Sequence, residues 1–174
     1  MKITILSKDE ILKHIKEGRI EVSPFKRDHV GPTSIDLTLG NEFRVFIKVR
    51  KIFHVKEDLN YENVTEVVTV KNGDFLLLMP GELIHGITQE KIRLSEELVG
   101  WIEGRSRFAR IGLMIHVTAG LVQPYCNNKQ VLEISNMSPM PIALYPGTKI
   151  CQIILEKIEG TAKYEGRFKD QASP

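Results

Sequence analysis

After Gly18 the chain never sustains the long helical stripe that would back a parallel sheet. It runs instead as short apolar segments cut by turn signals. Residues 47–55 and 64–70 alternate and are rich in Val, Ile and Thr, and further apolar runs fall at 75–79, 98–102, 111–117, 130–134, 141–144 and 149–155. Turn signals lie between them, at Leu39-Gly40-Asn41, Asn72-Gly73-Asp74, Pro80-Gly81 and Pro146-Gly147. Strands of this length with turns between them predict a sandwich, a jelly roll or a small barrel, and they exclude a Rossmann or P-loop architecture.

The one clear helix precedes this region. Ser7 and Glu10 form a capping-box pattern, Ile11, Leu12 and Ile15 make an apolar stripe, and Gly18 is its stop. A chain of 174 residues with this organisation reads as one domain, 1–174, whose polar end, 160–174, is a tail that is either disordered or orders over a ligand.

Charge narrows the partners. Lys and Arg number 24 against 22 Asp and Glu, a net charge of +2, so the chain is not built to coat nucleic acid. Cys126 and Cys151 stand apart with no CxxC, which argues for two apolar thiols and against a disulfide framework or a cysteine-rich zinc site. No apolar run approaches the ~20 residues that span a bilayer, and the first ten residues do not read as a secretory signal. The expected location is the cytoplasm, with no membrane partner.

Four segments could carry chemistry. In Gly104-Arg105-Ser106-Arg107-Phe108-Ala109-Arg110, three arginines and a serine follow an apolar strand. Planar guanidinium forks match phosphate oxygens, and the serine adds a short donor. The segment reads as a phosphate cradle or as a solvated basic turn, and the Gly-Arg-Ser grouping favours the cradle. Glu133, in Val131-Leu132-Glu133-Ile134, either faces solvent or sits in a pocket fitted for proton transfer. His116 is a lone histidine in an apparent strand and reads as a packed, hydrogen-bonded residue. The five histidines show no HxH, HExxH or deaminase zinc pattern. Asp36, in Gly31-Pro32-Thr33-Ser34-Ile35-Asp36-Leu37-Thr38-Leu39-Gly40, reads as a cap that fixes a strand start ending at Gly40, ahead of a partner- or metal-binding acid.

Together these segments resemble the dCTP deaminase branch of the dUTPase-like superfamily, over most of the chain. Pro24-Phe25 with Val30 through Gly40 looks like the family's first signature. Gly104 through Arg110, then Gly112-Leu113, looks like its GRSSxxRxGL motif. His116-Val117-Thr118-Ala119-Gly120 and Leu132-Glu133 follow in order, with Glu133 28 positions after Arg105. Arg167-Phe168-Lys169-Asp170-Gln171-Ala172-Ser173-Pro174 resembles the family's (K/R)YxxQxxP tail.

The resemblance implies a distorted β jelly roll of the β-clip kind with an N-terminal helix. It implies a homotrimer with sites between subunits and a tail that closes over nucleotide. It implies zinc-independent deamination of dCTP to dUTP and ammonia, supplying dTTP synthesis, with dTTP a candidate inhibitor and Mg²⁺ carried by the triphosphate. Glu133, Ser106 and Arg110 would be catalytic. Arg105, Arg107, Phe108, Ala109, Thr118, Ala119, Gln123, Val131, Leu132, Gln152, Tyr164, Arg167 and Gln171 would join them in binding nucleotide.

Three departures bear on the activity. Val122-Gln123-Pro124-Tyr125 stands where the family shows Ile-Asp-Pro-Gly, and an amide is no base for the water that attacks a triphosphate. Cys126-Asn127-Asn128-Lys129 replaces the usual Gly-aromatic-x-Gly turn, and Arg107 replaces a second serine. Deamination therefore leads. A dUTP diphosphatase or bifunctional enzyme, and a non-catalytic dNTP-binding module, are the alternatives.

Overall fold

The computed structural model describes residues 4–47, 52–57 and 59–174. Its first element, α1 (Lys8–Lys16), is capped by Ser7, whose Oγ accepts the Glu10 N–H at 3.5 Å. Glu10 turns its carboxylate toward Lys13 at 3.5 Å rather than back to the cap. Ile11 is fully buried and Leu12 and Ile15 pack on the core, so the stripe seats the helix as expected. Gly18 follows the helix with φ +70°.

The rest is β structure. The strands are β1 (Ile20–Ser23), β2 (Ser34–Phe46), β3 (Thr65–Thr69), β4 (Leu76–Leu78), β5 (Leu83–Leu94), β6 (Leu98–Gly104), β7 (Leu113–Ile115), β8 (Leu121–Val122), β9 (Asn127–Asn136), β10 (Ile142–Leu144) and β11 (Lys149–Lys157). One short helix, α2 (Ser106–Ala109), follows β6. Nine strands form one curled antiparallel sheet in the order β7-β9-β5-β2-β11-β6-β8, with β1 added to β5 and β3 to β2; β4 and β10 pair separately. Leu37, Phe43, Ile84, Leu132, Ile134 and Ile153 sit inside the curl. Among the described residues no helix is long and apolar enough to cross a membrane.

The curl comes from β2 and β5, which change partners along their length. Ser34–Thr38 pairs with β11, whereas Leu39–Val45 pairs with β5 and Glu42–Phe46 with β3. Gly40 lies at the crossing, where a Cβ would meet the Ile87 carbonyl oxygen at 2.8 Å. Leu39-Gly40-Asn41 is therefore no turn: β2 runs straight through it, and the expected strand end at Gly40 is corrected to Phe46. On β5 the register slips between Ile87 and Lys91. That bulge turns Glu90 inward, where it is 2% exposed and its Oε2 accepts the Thr38 N–H at 2.8 Å.

Two other expectations are revised. No strand forms over 47–55 where the chain is described: Ile52–Lys56 is exposed and irregular, and residues 48–51 lie outside the described residues. The run 111–117 gives only the three residues of β7, so His116 follows a strand rather than occupying one.

His14, on α1, is 1% exposed, and neither ring nitrogen has a hydrogen-bond partner among the described residues. Burial, then the charges of Lys157 and Arg19, push its pKa below 6.5. The unfolded chain thus binds this proton more readily. The histidine's contribution is intact above pH 6.5 and is lost as pH falls toward the lowered folded value. His14→Leu should flatten the loss of urea midpoint across that window without lowering stability at neutral pH; an unchanged slope would refute the assignment.

Candidate active site

Glu133 lies on β9, directly across from His85 of β5 in the strand register. Opposed residues of an antiparallel pair project from the same face. The loop after β7 closes on Glu133 from the other side. The Glu133 N–H donates to His116 Nδ1 at 3.0 Å, so that nitrogen is an acceptor and the neutral ring carries its hydrogen on Nε2. Glu133 Oε2 accepts from the Thr118 N–H at 2.9 Å and the Thr118 hydroxyl at 3.2 Å. One carboxylate oxygen is thereby clamped and Oε1 is left outside the clamp. His116 is thus a packed, hydrogen-bonded residue, as the sequence implied.

Glu133 opens into a cavity of about 750 Å³. Of the predicted site residues, Ala119, Gln123, Val131, Tyr164 and Gln171 line it with Glu133. Phe46, Tyr61 and Leu121 contribute an apolar wall, while His85, Asn128 and Gln130 add polar groups that sequence reasoning missed. Such a cavity suits a flat ring with polar edges. Burial pushes the His85 pKa below its ordinary value; Arg44 and His116 act the same way and Glu133 opposes. Cys126, also on the wall, has its thiol pushed up to about 11 by burial, so it is protonated and unreactive at neutral pH. Cys126 and Cys151 are both buried and free.

The tail forms one rim. Asn127 and Lys129 of β9 donate their N–H groups to the Lys169 and Gln171 carbonyls at 3.1 and 3.0 Å. Asn128 Nδ2 donates to the Phe168 carbonyl at 2.7 Å, and Arg44 Nε to the Pro174 carbonyl at 3.0 Å. Residues 164–174 thus lie against the chain's own strands. Arg167 is exposed, with its guanidinium 5.5 Å from the Phe168 ring centroid.

The arginine turn lies elsewhere. Gly104 ends β6, and a Cβ there would meet the Ile115 carbonyl oxygen at 2.6 Å, so the close approach of β7 requires glycine. Arg105 then caps α2 and pairs with Asp36 at 3.2 Å, and Lys149 stands 3.9 Å from the same carboxylate. Asp36 is thus a mid-strand counter-ion and not the turn cap expected of it. Gln152 on β11 braces the turn, donating to the Gly104 carbonyl at 3.3 Å and accepting from the Ser34 hydroxyl at 2.8 Å. Ser106, Arg107, Ala109 and Arg110 are exposed, and Phe108 is half-buried against the core. None of Arg105, Arg107 and Arg110 lines the cavity that holds Glu133, and Leu132 is buried in the core. One chain therefore carries a cavity with a carboxylate and, separately, an exposed cationic turn.

Comparison with known proteins follows the same lines. Residues 5–158 match the family model described as dCTP deaminase-like. A protein of Methanobrevibacter smithii named "dCTP deaminase, dUMP-forming" is 37% identical, covering 99% of this chain and 93% of its own. One of the same name from Corynebacterium kroppenstedtii is 40% identical, covering 98% and 94%. The crystal structure of a deoxycytidine triphosphate deaminase from Agrobacterium tumefaciens superposes with TM-score 0.70 at 19% identity, covering 91% of this chain and 49% of that one, so it speaks to the fold.

The tail's attachment is testable directly. Asn128→Ala removes one buried hydrogen bond to the tail, a net loss of about 1 kcal/mol. Trypsin cleavage after Arg167 and Lys169 should accelerate roughly fivefold if cleavage follows the open population; equal rates would show that Asn128 does not hold the tail.

Proposed function

The chain belongs to the dCTP deaminase-like family, and from that membership we propose that it deaminates dCTP hydrolytically, with Glu133 as the proton carrier. The observation that carries this reading is the clamped Glu133 carboxylate facing a cavity fitted to a flat polar ring. Water adds to C4 of the cytosine ring and gives a proton to Glu133. Glu133 delivers that proton to N3, then takes the second proton from the C4 hydroxyl of the adduct and passes it to the departing amine, so that the C4–N bond breaks and ammonia leaves with a carbonyl at C4. Gln123, Asn128 and Gln130 offer amide donors and acceptors for the ring's edge, and Thr118 keeps the carboxylate aimed.

In this reading the arginine turn is supplied by a second copy. Ser106 would hold the attacking water or the developing oxyanion, Arg110 would stabilise negative charge, and Arg105 and Arg107 would face the triphosphate. Support comes from the exposure of this turn and its absence from the Glu133 cavity of its own chain. The assembly proposed is a homotrimer. Mg²⁺ enters as part of the substrate. The turn offers cations and one carboxylate, Asp36, already paired to Arg105 and Lys149, so it fits phosphate oxygens better than a bare ion. Tyr164 and Gln171 would close the cavity from the tail.

A second reading has a specific observation in its favour: the relatives are named for dUMP formation. That product requires a further attack of water on the triphosphate. Gln123, an amide on the cavity wall, does not serve as its base. We therefore place dUTP first as product.

Incubation with dCTP and Mg²⁺ should release ammonia and leave dUTP. Accumulation of dUMP and pyrophosphate would favour the second reading, and binding without product would make the chain a nucleotide-binding module. Glu133→Gln should lower turnover by roughly 10²–10⁴-fold while nucleotide still binds; retained turnover would remove Glu133 from its role. Light scattering should return three times 19.8 kDa, and a monomer that turns over at full rate would refute the shared site.

A further inference from the structure

We infer that His85 is a positioning residue for the proposed deamination: locked opposite Glu133 by the rings of Phe46 and Tyr61, its imidazole tunes that carboxylate as a proton carrier. The inference rests on the deaminase reading and adds a residue that reading does not use.

Three observations meet at His85. The first is register: His85 and Glu133 are direct cross-strand partners of β5 and β9, and both line the cavity. The second is immobilisation. Phe46 and Tyr61 meet the imidazole edge-on, with centroids at 5.6 and 5.5 Å and planes at 75° and 79°. Tyr61 is itself covered by the Arg44 guanidinium at 5.5 Å, and Arg44 is tied to the Thr65 hydroxyl and the Pro174 carbonyl. The ring is fixed on the cavity wall, across the ladder from Glu133, by a stack that starts in the tail.

The third is charge. The titratable or charged groups around the ring are Glu133 on β9, Arg44 on β2, His116 in the loop after β7 and the Tyr61 phenol. Burial, Arg44 and His116 disfavour a protonated His85, and Glu133 alone favours it. The imidazole is therefore neutral when Glu133 works. When it takes a proton, it sets a cation beside the carboxylate that must accept one from water. Coupling of this kind is reciprocal: a carboxylate that eases protonation of His85 is itself made a weaker base by His85 protonation. His116 cannot substitute, because its Nδ1 is occupied by the Glu133 N–H and it acts on the backbone.

The test uses the full chain with dCTP and Mg²⁺, comparing wild type, His85→Leu and His85→Gln from about pH 5 to about pH 9. His85→Leu should lower kcat by about tenfold with KM within about twofold, and His85→Gln, polar and uncharged, should recover part of that loss. The acid limb of log kcat/KM should lose the ionisation that belongs to His85, so that the fall in rate begins at lower pH in both variants than in wild type. Unchanged kcat and an unchanged acid limb would overturn the proposal. Should both variants fail to fold, ring-resolved NMR titration of His85 in wild type and Glu133→Gln reads the same coupling. The His85 midpoint should lie below 6.5 and fall further in Glu133→Gln, which loses the one favourable charge; equal midpoints would overturn the inference. Wild type that releases no ammonia from dCTP would instead sink the deaminase reading, a separate outcome.

Discussion

A buried carboxylate holds the crossing on which both halves of the site depend. Glu90 lies inside the β5 bulge at 2% exposure, and its Oε2 accepts the Thr38 N–H just where β2 leaves β11 and joins β5. A strand that changes partners leaves a backbone donor without a ladder acceptor, and a buried donor left unpaired is costly. The carboxylate fills that gap. Its other oxygen stands 3.8 Å from His29 Nδ1, which lies 3.1 Å from the Asp36 carbonyl and donates to it. Thr88 holds the bulge by donating to the Glu90 carbonyl and accepting the Gln130 N–H. Carboxylate, imidazole and hydroxyl thus join β2, β5 and β9 at one point.

Both chemical clusters hang from strands that are joined at that point. Two residues before Thr38, Asp36 faces Arg105 and Lys149 and fixes the cationic turn. Three residues after Gln130, Glu133 faces His85 and Thr118 in the cavity. Within one chain the arginines of that turn do not line the Glu133 cavity. A second copy that brings its turn to that cavity is the arrangement proposed above.

The β class, the capped helix, and the stretches that became β3, β4, β6, β9, β10 and β11 were legible because their apolar patterns are local. Of β2 only the first half, up to Gly40, was legible, and β5 was not. Polar Gln89, Glu90, Lys91 and Arg93 dilute the pattern of β5, and the bulge breaks its alternation, although Glu90, Lys91 and Arg93 each answer to a specific partner. Gly40 looked like a turn because a glycine needed for close approach is indistinguishable in sequence from one needed for a bend. Of the site, Glu133, Gln123, Ala119, Tyr164 and Gln171 were readable through resemblance. His85 was not: its significance lies in the register of a strand whose pattern was hidden, and in two aromatic rings from elements far away in the chain.

The makeup of the cavity wall limits what chemistry can occur there. Among its described lining residues Glu133 is the one carboxylate, while Gln123, Asn128, Gln130 and Gln171 are amides. Gln130 donates to Asn128, and Asn128 donates to the tail, so two of these amides are oriented by a chain of hydrogen bonds. Amides can read a ring's edge, donating to a carbonyl and accepting from an amine, but they do not carry a proton between water and a leaving group. A wall of this kind supports a reaction that needs one proton carrier, such as replacement of an exocyclic amine by oxygen. Among the described lining residues of this one chain there is no second carboxylate for a reaction elsewhere on the ligand. The histidines do not supply that base: His116 is engaged with the Glu133 backbone, and His85 is enclosed by aromatic edges beside Glu133. Within this wall Glu133 is therefore the group suited to move a proton at the ring of a bound nucleotide.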